Sequence, residues 1–360
     1  VTLESSTPLF AEDFDYELPA DRIAQQPADP RDAARLMVID RASRSVTHAC
    51  FRDLPDFLPA RTRLFRNTVA VLRARLRGRL PTGGAIECLL LEPDTAPGTW
   101  RALLRPGRKL PVGRTFLLPD GSQAEVLQRR DDGTAVVHLH LPAGADPIAY
   151  TEAHGEVPLP PYIRSLSDPS TEAQRYNTVY ADPSRREAVA APTAGLHYTP
   201  DLLASLEQRG HPSFAVTLRI GLGTFQPLPP GRLDAHHLHR ELYQVPAATA
   251  AAIRDREAGP RLCVGTTTLR ALEHHLRTAP GATAGASAEA DLFLYPPAQF
   301  VAADALQTNF HLPRSSLLCL VAAFLTPGSR AGISWLHELY QEAIQRNYRF
   351  YSYGDTMLIL

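Results

Sequence analysis

Residues 261–277 read RLCVGTTTLRALEHHLR, a short apolar run, a glycine, three threonines and then a helical repeat of leucines. The run Leu262, Cys263, Val264 has the length and bounding of a buried strand. Leu269, Leu272 and Leu276 recur at the three-to-four-residue spacing of one helix face. A strand that turns through Gly-Thr directly into a helix is the unit from which layered or barrel-like α/β folds are built, with ligands at the strand C-termini. Working outward, FAVTLRI (214–220) reads as another strand. It is preceded by a helix with Thr199 as N-cap, Pro200 in its first turn and Gly210 as its stop. A helix is expected over 247–258, ended by Gly259-Pro260. DLFLYP (291–296) is expected as a strand, LLCLVAAFL and SWLHELYQEAIQRN as helices, and a Tyr-rich strand closes the chain. APGATAGASAEA (279–290) offers little side chain to pack and reads as a loop.

Residues 69–150 have a different texture. Alternating runs such as VLRARLRG, AIECLLLE and TAVVHLHL are separated by PTGG, PDTAPG, LPDG and DDG. Turn signals at such short intervals indicate a small antiparallel barrel or sandwich, and a barrel inserted in the α/β core is the expectation carried forward. The expected division is 1–68 core, 69–151 inserted barrel and 152–360 core with the ligand pocket. Arg73, Arg75, Arg77 and Arg79 recur every second residue, so one strand face carries all four, and that face is expected to be exposed.

Length and composition fit this picture. A chain of 360 residues with 44% hydrophobic and 21% charged residues buries a core and exceeds what one small domain needs. The longest apolar stretch, 317–325, is far below the roughly 20 residues that span a bilayer. The N-terminal segment has no secretory pattern, so a cytoplasmic protein is expected. Cys50, Cys88, Cys263 and Cys319 lack metal-site or disulfide spacing. Net charge is −1, yet residues 61–114 hold twelve basic residues against three acidic ones, a net +9 over 54 residues. Such a local field attracts polyanions.

Three Gly/Thr-rich segments follow expected strands: one with Thr193, Gly195 and His197, one with Gly221, Gly223, Thr224 and Phe225, and one with Gly265, Thr266, Thr267 and Thr268. Glycines admit a ligand close to the backbone, and free N–H groups at a helix start favour a carboxylate. G-L-G followed by FQPLPPG is no dinucleotide fingerprint. Histidines gather at His236, His237 and His239, with His197 and His311 elsewhere. Their spacing argues against zinc, so no metal is expected and acid–base roles are favoured.

The ordered segments VAAPTAGLHYT, VTLRIGLGTFQPL, DAHHLHRELY, VGTTTLRALE, DLFLYP, TNFHLPRSSLL and RFYSYGDTML resemble the motifs of the S-adenosylmethionine:tRNA ribosyltransferase-isomerase family of queuosine biosynthesis. So do the opening DFDYELPADRIAQQPADPRDAARLMVID and RYNTVYA. The resemblance is colinear from Asp13 to Leu358. It implies a transferase that moves and isomerises the ribosyl part of S-adenosylmethionine, its co-substrate, onto 7-aminomethyl-7-deazaguanine at the wobble position of tRNA. Epoxyqueuosine-tRNA is the product, and adenine and methionine are released. Matching the family motifs makes His197, His311, His236 and His239 the proton-transfer candidates. Thr193, Gly195, Gly221, Gly223, Thr224, Phe225, Gly265, Thr266 to Thr268, Asn309 and Asp355 become the S-adenosylmethionine candidates. Arg73, Arg75, Arg77, Arg79, Arg175 and Tyr176 become the RNA contacts, in a monomer or homodimer. Two departures stand out: Asn67-Thr68-Val69-Ala70 where the family usually reads Asn-Asp-Thr-Arg, and Arg219 where a histidine is common. They motivate a rival reading as a catalytically lapsed RNA-binding homologue. A His-dependent metal hydrolase and an S-adenosylmethionine methyltransferase are weaker rivals.

Overall fold

A computed structural model describes residues 7–107, 110–164, 168–221, 227–282 and 284–360. The strands in chain order are β1 (Arg35–Asp40), β2 (Ser45–Cys50), β3 (Arg63–Asn67), β4 (Ala70–Val71), β5 (Arg75–Arg79), β6 (Ala85–Pro93), β7 (Thr99–Arg105), β8 (Thr115–Leu117) and β9 (Gln123–Arg129). They continue as β10 (Ala135–His140), β11 (Arg186–Ala188), β12 (Ser213–Leu218), β13 (Glu241–Val245), β14 (Arg261–Val264), β15 (Ala286–Ala290), β16 (Ala305–Asn309) and β17 (Thr356–Ile359). The helices are α1 (Leu54–Phe57), α2 (Pro147–His154), α3 (Pro169–Arg175), α4 (Pro200–Gln208), α5 (Ala247–Arg254), α6 (Thr266–Thr278), α7 (Ser316–Leu325) and α8 (Gly332–Gln345).

Nine strands form one mixed sheet in the order β15-β13-β12-β3-β14-β16-β17-β1-β2. β12, β3, β14 and β16 run parallel at its centre, and β17 lies antiparallel to β16. Alternation decides which side chains face which layer. Phe65, Cys263, Leu306 and Met357 face one layer with residues of α5, α6, α7 and α8, whereas Leu64, Leu262, Val264 and Leu358 face the other with Leu202 and Leu206 of α4. Each fully buried leucine of these layers contributes about 1.5–3 kcal/mol. The Thr199 hydroxyl accepts from Leu202 N and caps α4, and Gly210 ends that segment at φ +81°. The glycine is needed there because a side chain strains a positive φ.

The second body is a closed six-stranded antiparallel barrel, β10-β7-β6-β5-β8-β9, with its own core of Leu76, Cys88, Leu90, Ala102, Phe116, Val126 and Val137. Gly78 faces the wall of β8, where a Cβ would come within 2.4 Å of the Leu117 carbonyl oxygen. Among the described residues, no helix is long and apolar enough to cross a membrane.

The structure corrects several expectations. The helix expected to 258 ends at Arg254, where Asp255 turns the chain to extended geometry. DLFLYP forms no strand. Its Leu292, Phe293 and Tyr295 pack against the core from an irregular segment, and the Leu292 carbonyl accepts from Arg270 Nε. Part of the stretch expected as a loop instead forms β15, an edge strand paired with β13. Backbone pairing needs no large side chain, and Ala and Ser there suffice. The tyrosines of residues 348–353 precede the last strand and do not lie in it.

Candidate active site at one edge of the sheet

Parallel order places the C-terminal ends of β12, β3, β14 and β16 on one edge, together with the N-terminal ends of β13, β17 and β1 and the end of β15. Gly195, Gly221, Gly265, Thr266 to Thr268, Asn309, His311 and Asp355 all lie along this edge. Gly223, Thr224 and Phe225 fall outside the described residues.

The connection is made by a 3-10 turn, Thr193–His197, lying across β14 and β16. The Gln307 side-chain amide donates to the Ala194 carbonyl (3.1 Å) and to Thr356 Oγ1 (2.7 Å). A Cβ on Gly265 would lie 3.4 Å from Ala194 Cβ, and Gly265 itself sits at φ +90° as the residue before α6. No side chain caps α6, so its first N–H groups and the positive end of its dipole point into this edge. Thr268 is spoken for locally, its hydroxyl donating to the Val264 carbonyl at 2.8 Å.

His197 is buried, and its Nε2 lies 2.8 Å from Asn309 Oδ1. Asn309 Nδ2 donates to the carbonyls of Tyr351 and Ser352, which fixes the amide with Oδ1 toward the imidazole. His197 Nε2 therefore donates, and Nδ1 keeps the lone pair, with no hydrogen-bond partner among the described residues. Burial lowers the His197 pKa to about 4, so the ring is neutral at physiological pH.

His311 meets the same strand end from the other face. Thr308 points opposite to Gln307 and Asn309 along β16, and its hydroxyl lies 2.9 Å from His311 Nε2. The His311 backbone is held by hydroxyls: Tyr340 accepts from its N–H at 2.9 Å, and Tyr16 donates to its carbonyl at 2.5 Å. Burial lowers this imidazole to about 3.

Both shifts carry a consequence for stability. Each ring binds a proton more readily unfolded, near pH 6.5, than folded, so stability is complete above 6.5 and falls as pH drops toward 4. Urea unfolding at pH 7 and pH 4.5 should therefore show a loss of about 2–3 kcal/mol attributable to His197 alone. His197→Gln should remove that share of the pH dependence, and an unchanged profile in the variant would refute the buried neutral imidazole.

Asp355 is occupied by the protein. Its carboxylate accepts from Arg35 N (2.9 Å) and Arg349 N (2.8 Å) and pairs with the Arg349 guanidinium at 3.3 Å, tying the start of β17 to β1.

His236 and His239 stand farther along the edge. His236, His237, Asp234, Arg240, Asp291, Phe293 and Tyr295 line a cavity of about 420 Å³, and His236 Nε2 is buried with no partner among the described residues. His239 is exposed; its carbonyl accepts from Arg270 of α6, whose guanidinium also pairs with the buried Glu241 at 2.6 Å. Among the described residues no three His, Cys, Asp or Glu side chains are grouped to hold a metal.

The arginine ladder is only half exposed, which corrects the expectation of one open face. Arg77 and Arg79 are exposed, while Arg73 and Arg75 are half-buried. Arg73 pairs with Glu152, Arg75 with Glu87 and Arg77 with Glu156, so acidic residues, two of them outside the +9 segment, neutralise part of its field. Arg175 is half-buried at the end of α3. Tyr176 is fully buried against Tyr353 and offers no ring face to solvent.

Thr68, Val69 and Ala70 are the positions that depart from the family pattern in their segment, whereas Asn67, which the pattern shares, holds the local turn. Asn67 Oδ1 accepts from Val69 N and Leu218 N, and its Nδ2 donates to the Leu218 carbonyl, so this side chain closes the turn after β3. Arg219 pairs with Glu187 at 3.0 Å.

Arg66 and Tyr180 carry no local signal in the sequence that marks them as site residues. Arg66 lies near the end of β3 with its guanidinium 4.3 Å over the Tyr180 ring, and the Tyr180 hydroxyl sits against Gly195.

Known proteins give the same assignment. Residues 11–359 match the family model described as queuosine biosynthesis protein. The chain is 43% identical over 350 residues to the S-adenosylmethionine:tRNA ribosyltransferase-isomerase of Thermotoga maritima, covering 97% of this chain and 99% of that one. It is 45% identical over 360 residues to the Thermus thermophilus enzyme of the same name, again covering 97% and 99%. The crystal structure of S-adenosylmethionine tRNA ribosyltransferase from Thermotoga maritima superposes with a TM-score of 0.54 at 35% identity, covering 97% of this chain and 100% of that one. A family match over nearly the whole chain, with relatives at this identity end to end, makes the chain a member of the queuosine biosynthesis protein family.

Proposed function

We propose that this chain is an S-adenosylmethionine:tRNA ribosyltransferase-isomerase, acting on 7-aminomethyl-7-deazaguanine at the wobble position of a cytoplasmic tRNA. The observation that carries the reading is the convergence of Gly195, Gly265, the open N-terminus of α6, Asn309 and two neutral buried imidazoles on one sheet edge, in a chain 43–45% identical to enzymes of that name.

When bound, the sulfonium acidifies its neighbouring ribose methylene and supplies adenine and methionine as leaving groups. The protein's work is then to orient, to exclude water and to move protons. His197 presents a lone pair at Nδ1 while Asn309 holds Nε2–H, an arrangement suited to a general base. His311, on the opposite face of β16 with Nε2 held by Thr308, is read as a second proton-transfer candidate on the family motif it matches. Gly265 and the first N–H groups of α6 suit the methionyl end, since an anion is favoured there. The cavity at His236, Phe293 and Tyr295 suits a flat heterocycle, with Asp234 and Asp291 near its amine.

Adenine release from S-adenosylmethionine in the presence of the modified tRNA tests the reading. Stoichiometric free adenine supports it, whereas S-adenosylhomocysteine and methylated RNA would replace it with a methyltransferase. A lapsed RNA-binding homologue is the second reading, favoured by the charged Arg219–Glu187 pair where relatives commonly carry a histidine. It predicts tRNA binding without adenine release.

The barrel unit, residues 69–151, is read as the RNA-contacting part, with Arg77 and Arg79 its most exposed arginines on β5. Phosphate contacts give affinity that falls with salt. The double variant Arg77→Glu, Arg79→Glu should weaken tRNA binding about tenfold or more, flatten its salt dependence and leave S-adenosylmethionine affinity intact. Equal tRNA affinity in filter binding would reject this face.

A further inference from the structure

The sheet edge holds a cationic group that the described residues leave unanswered. Arg63 and Arg66 lie on the same strand, and the contrast between them is informative. Both terminal nitrogens of Arg63 are capped by the carbonyls of Ala252, Asp255 and Gly259, leaving only its Nε without a partner among the described residues. Arg66 has no carboxylate partner among the described residues, and its Nε and NH1 are buried without any acceptor there. Desolvating guanidinium N–H groups without acceptors costs several kcal/mol, so such an arrangement is retained where a ligand completes it.

The surroundings repeat the pattern. Tyr180 Oη, Tyr198 Oη, Thr178 Oγ1 and Gln307 Oε1 are also buried without partners among the described residues, and Tyr198, Thr178 and Gln307 are 0%, 6% and 0% exposed. The Tyr180 and Tyr198 rings stand 6.0 Å apart, edge to face. Arg66 lies over Tyr180, and Tyr180 and Thr178 abut Gly195. Ala194 of the same turn touches Gly265, the residue before α6. In register, Arg66 faces Val264, one residue short of Gly265. Arg66 and the uncapped start of α6 thus flank one point of the edge, joined by the turn Thr193–His197.

Resting on the function proposed above, we propose that Arg66, held over Tyr180, binds the α-carboxylate of the methionyl group of S-adenosylmethionine together with the N-terminus of α6. A planar guanidinium presents two parallel N–H donors that match a carboxylate. The ring beneath fixes its plane, and the hydroxyls of Tyr198 and Thr178 supply neutral donors to the remaining lone pairs. This makes Arg66 a binding residue that discriminates for the carboxylate, without touching the reacting carbon.

The test compares S-adenosylmethionine with its decarboxylated analogue, which keeps the adenosyl sulfonium and the amine. Calorimetric titration of the wild-type protein should show the analogue binding at least tenfold more weakly. Arg66→Gln should weaken S-adenosylmethionine binding by about 10- to 100-fold, as expected for a charge-assisted pair, and leave the analogue's affinity unchanged. Arg66→Lys keeps the charge without the fork and should retain part of the preference; it serves as the readout if the glutamine variant melts at a lower temperature. Equal losses for both ligands would overturn the proposal, as would unchanged S-adenosylmethionine affinity accompanied by weaker tRNA binding, which would assign Arg66 to an RNA phosphate. No binding of S-adenosylmethionine by the wild-type protein would defeat the functional reading and this one with it.

Discussion

His197→Gln should lower adenine release from S-adenosylmethionine by about 10²–10⁴-fold, the span a positioned proton-transfer group contributes. Glutamine can still donate to Asn309 Oδ1 from nearly the place of Nε2, so the contact that orients the residue survives. What disappears is Nδ1, the lone pair. The ring's pKa, lowered to about 4 by burial, keeps that lone pair free throughout the neutral range. The rate should therefore show no inflection from this group between pH 6 and 8 in the wild-type protein. Asn309→Ala supplies the complement: it keeps the imidazole but frees its tautomer, and it should cost less than loss of the ring. Full activity in His197→Gln, with unaltered unfolding, would move the base elsewhere.

Gly195→Ala should weaken S-adenosylmethionine binding by more than tenfold and destabilise the protein by about 1–3 kcal/mol, the range for overpacking. A Cβ there would lie 2.0 Å from Tyr180 Oη and 2.9 Å from Thr178 Cγ2. Tyr180 cannot swing away at little cost, because Arg66 covers one face of its ring and Tyr198 meets it at 6.0 Å. The displaced ring would carry Arg66 with it. Thermal unfolding and equilibrium dialysis on one preparation separate the two effects. Wild-type affinity in a folded Gly195→Ala protein would mean that the turn does not border the ligand.

Local signals were legible in the sequence. Thr199 with Pro200 and Gly210 bounded α4, RLCV followed by Gly265 marked β14 and α6, and the alternation of Arg73 to Arg79 matched Leu72, Ala74, Leu76 and Leu80 turned inward. Errors arose where pairing or packing is decided at a distance. DLFLYP looks like a strand by composition, yet its apolar side chains fill the core while its backbone is held by Arg270. ASAEA has no strand signature because an edge strand is fixed by its partner's backbone. The site divides the same way. The segments around Gly195 and Gly265 mark the sheet edge, but nothing local reveals that Asp355 is bonded to Arg35 and Arg349, that Tyr176 is buried, or that Arg66 lacks an acceptor among the described residues. Those properties depend on neighbours that the fold brings in, many of them from distant parts of the chain.

A crystal structure of the protein with S-adenosylmethionine would show whether the strand-end edge holds the co-substrate. Density is expected along the strand-end edge, with the methionyl end beside Gly265 and the adenosyl ribose facing His197. Density on the barrel, or on the far edge of the sheet with His197 and Asn309 untouched, would contradict that placement.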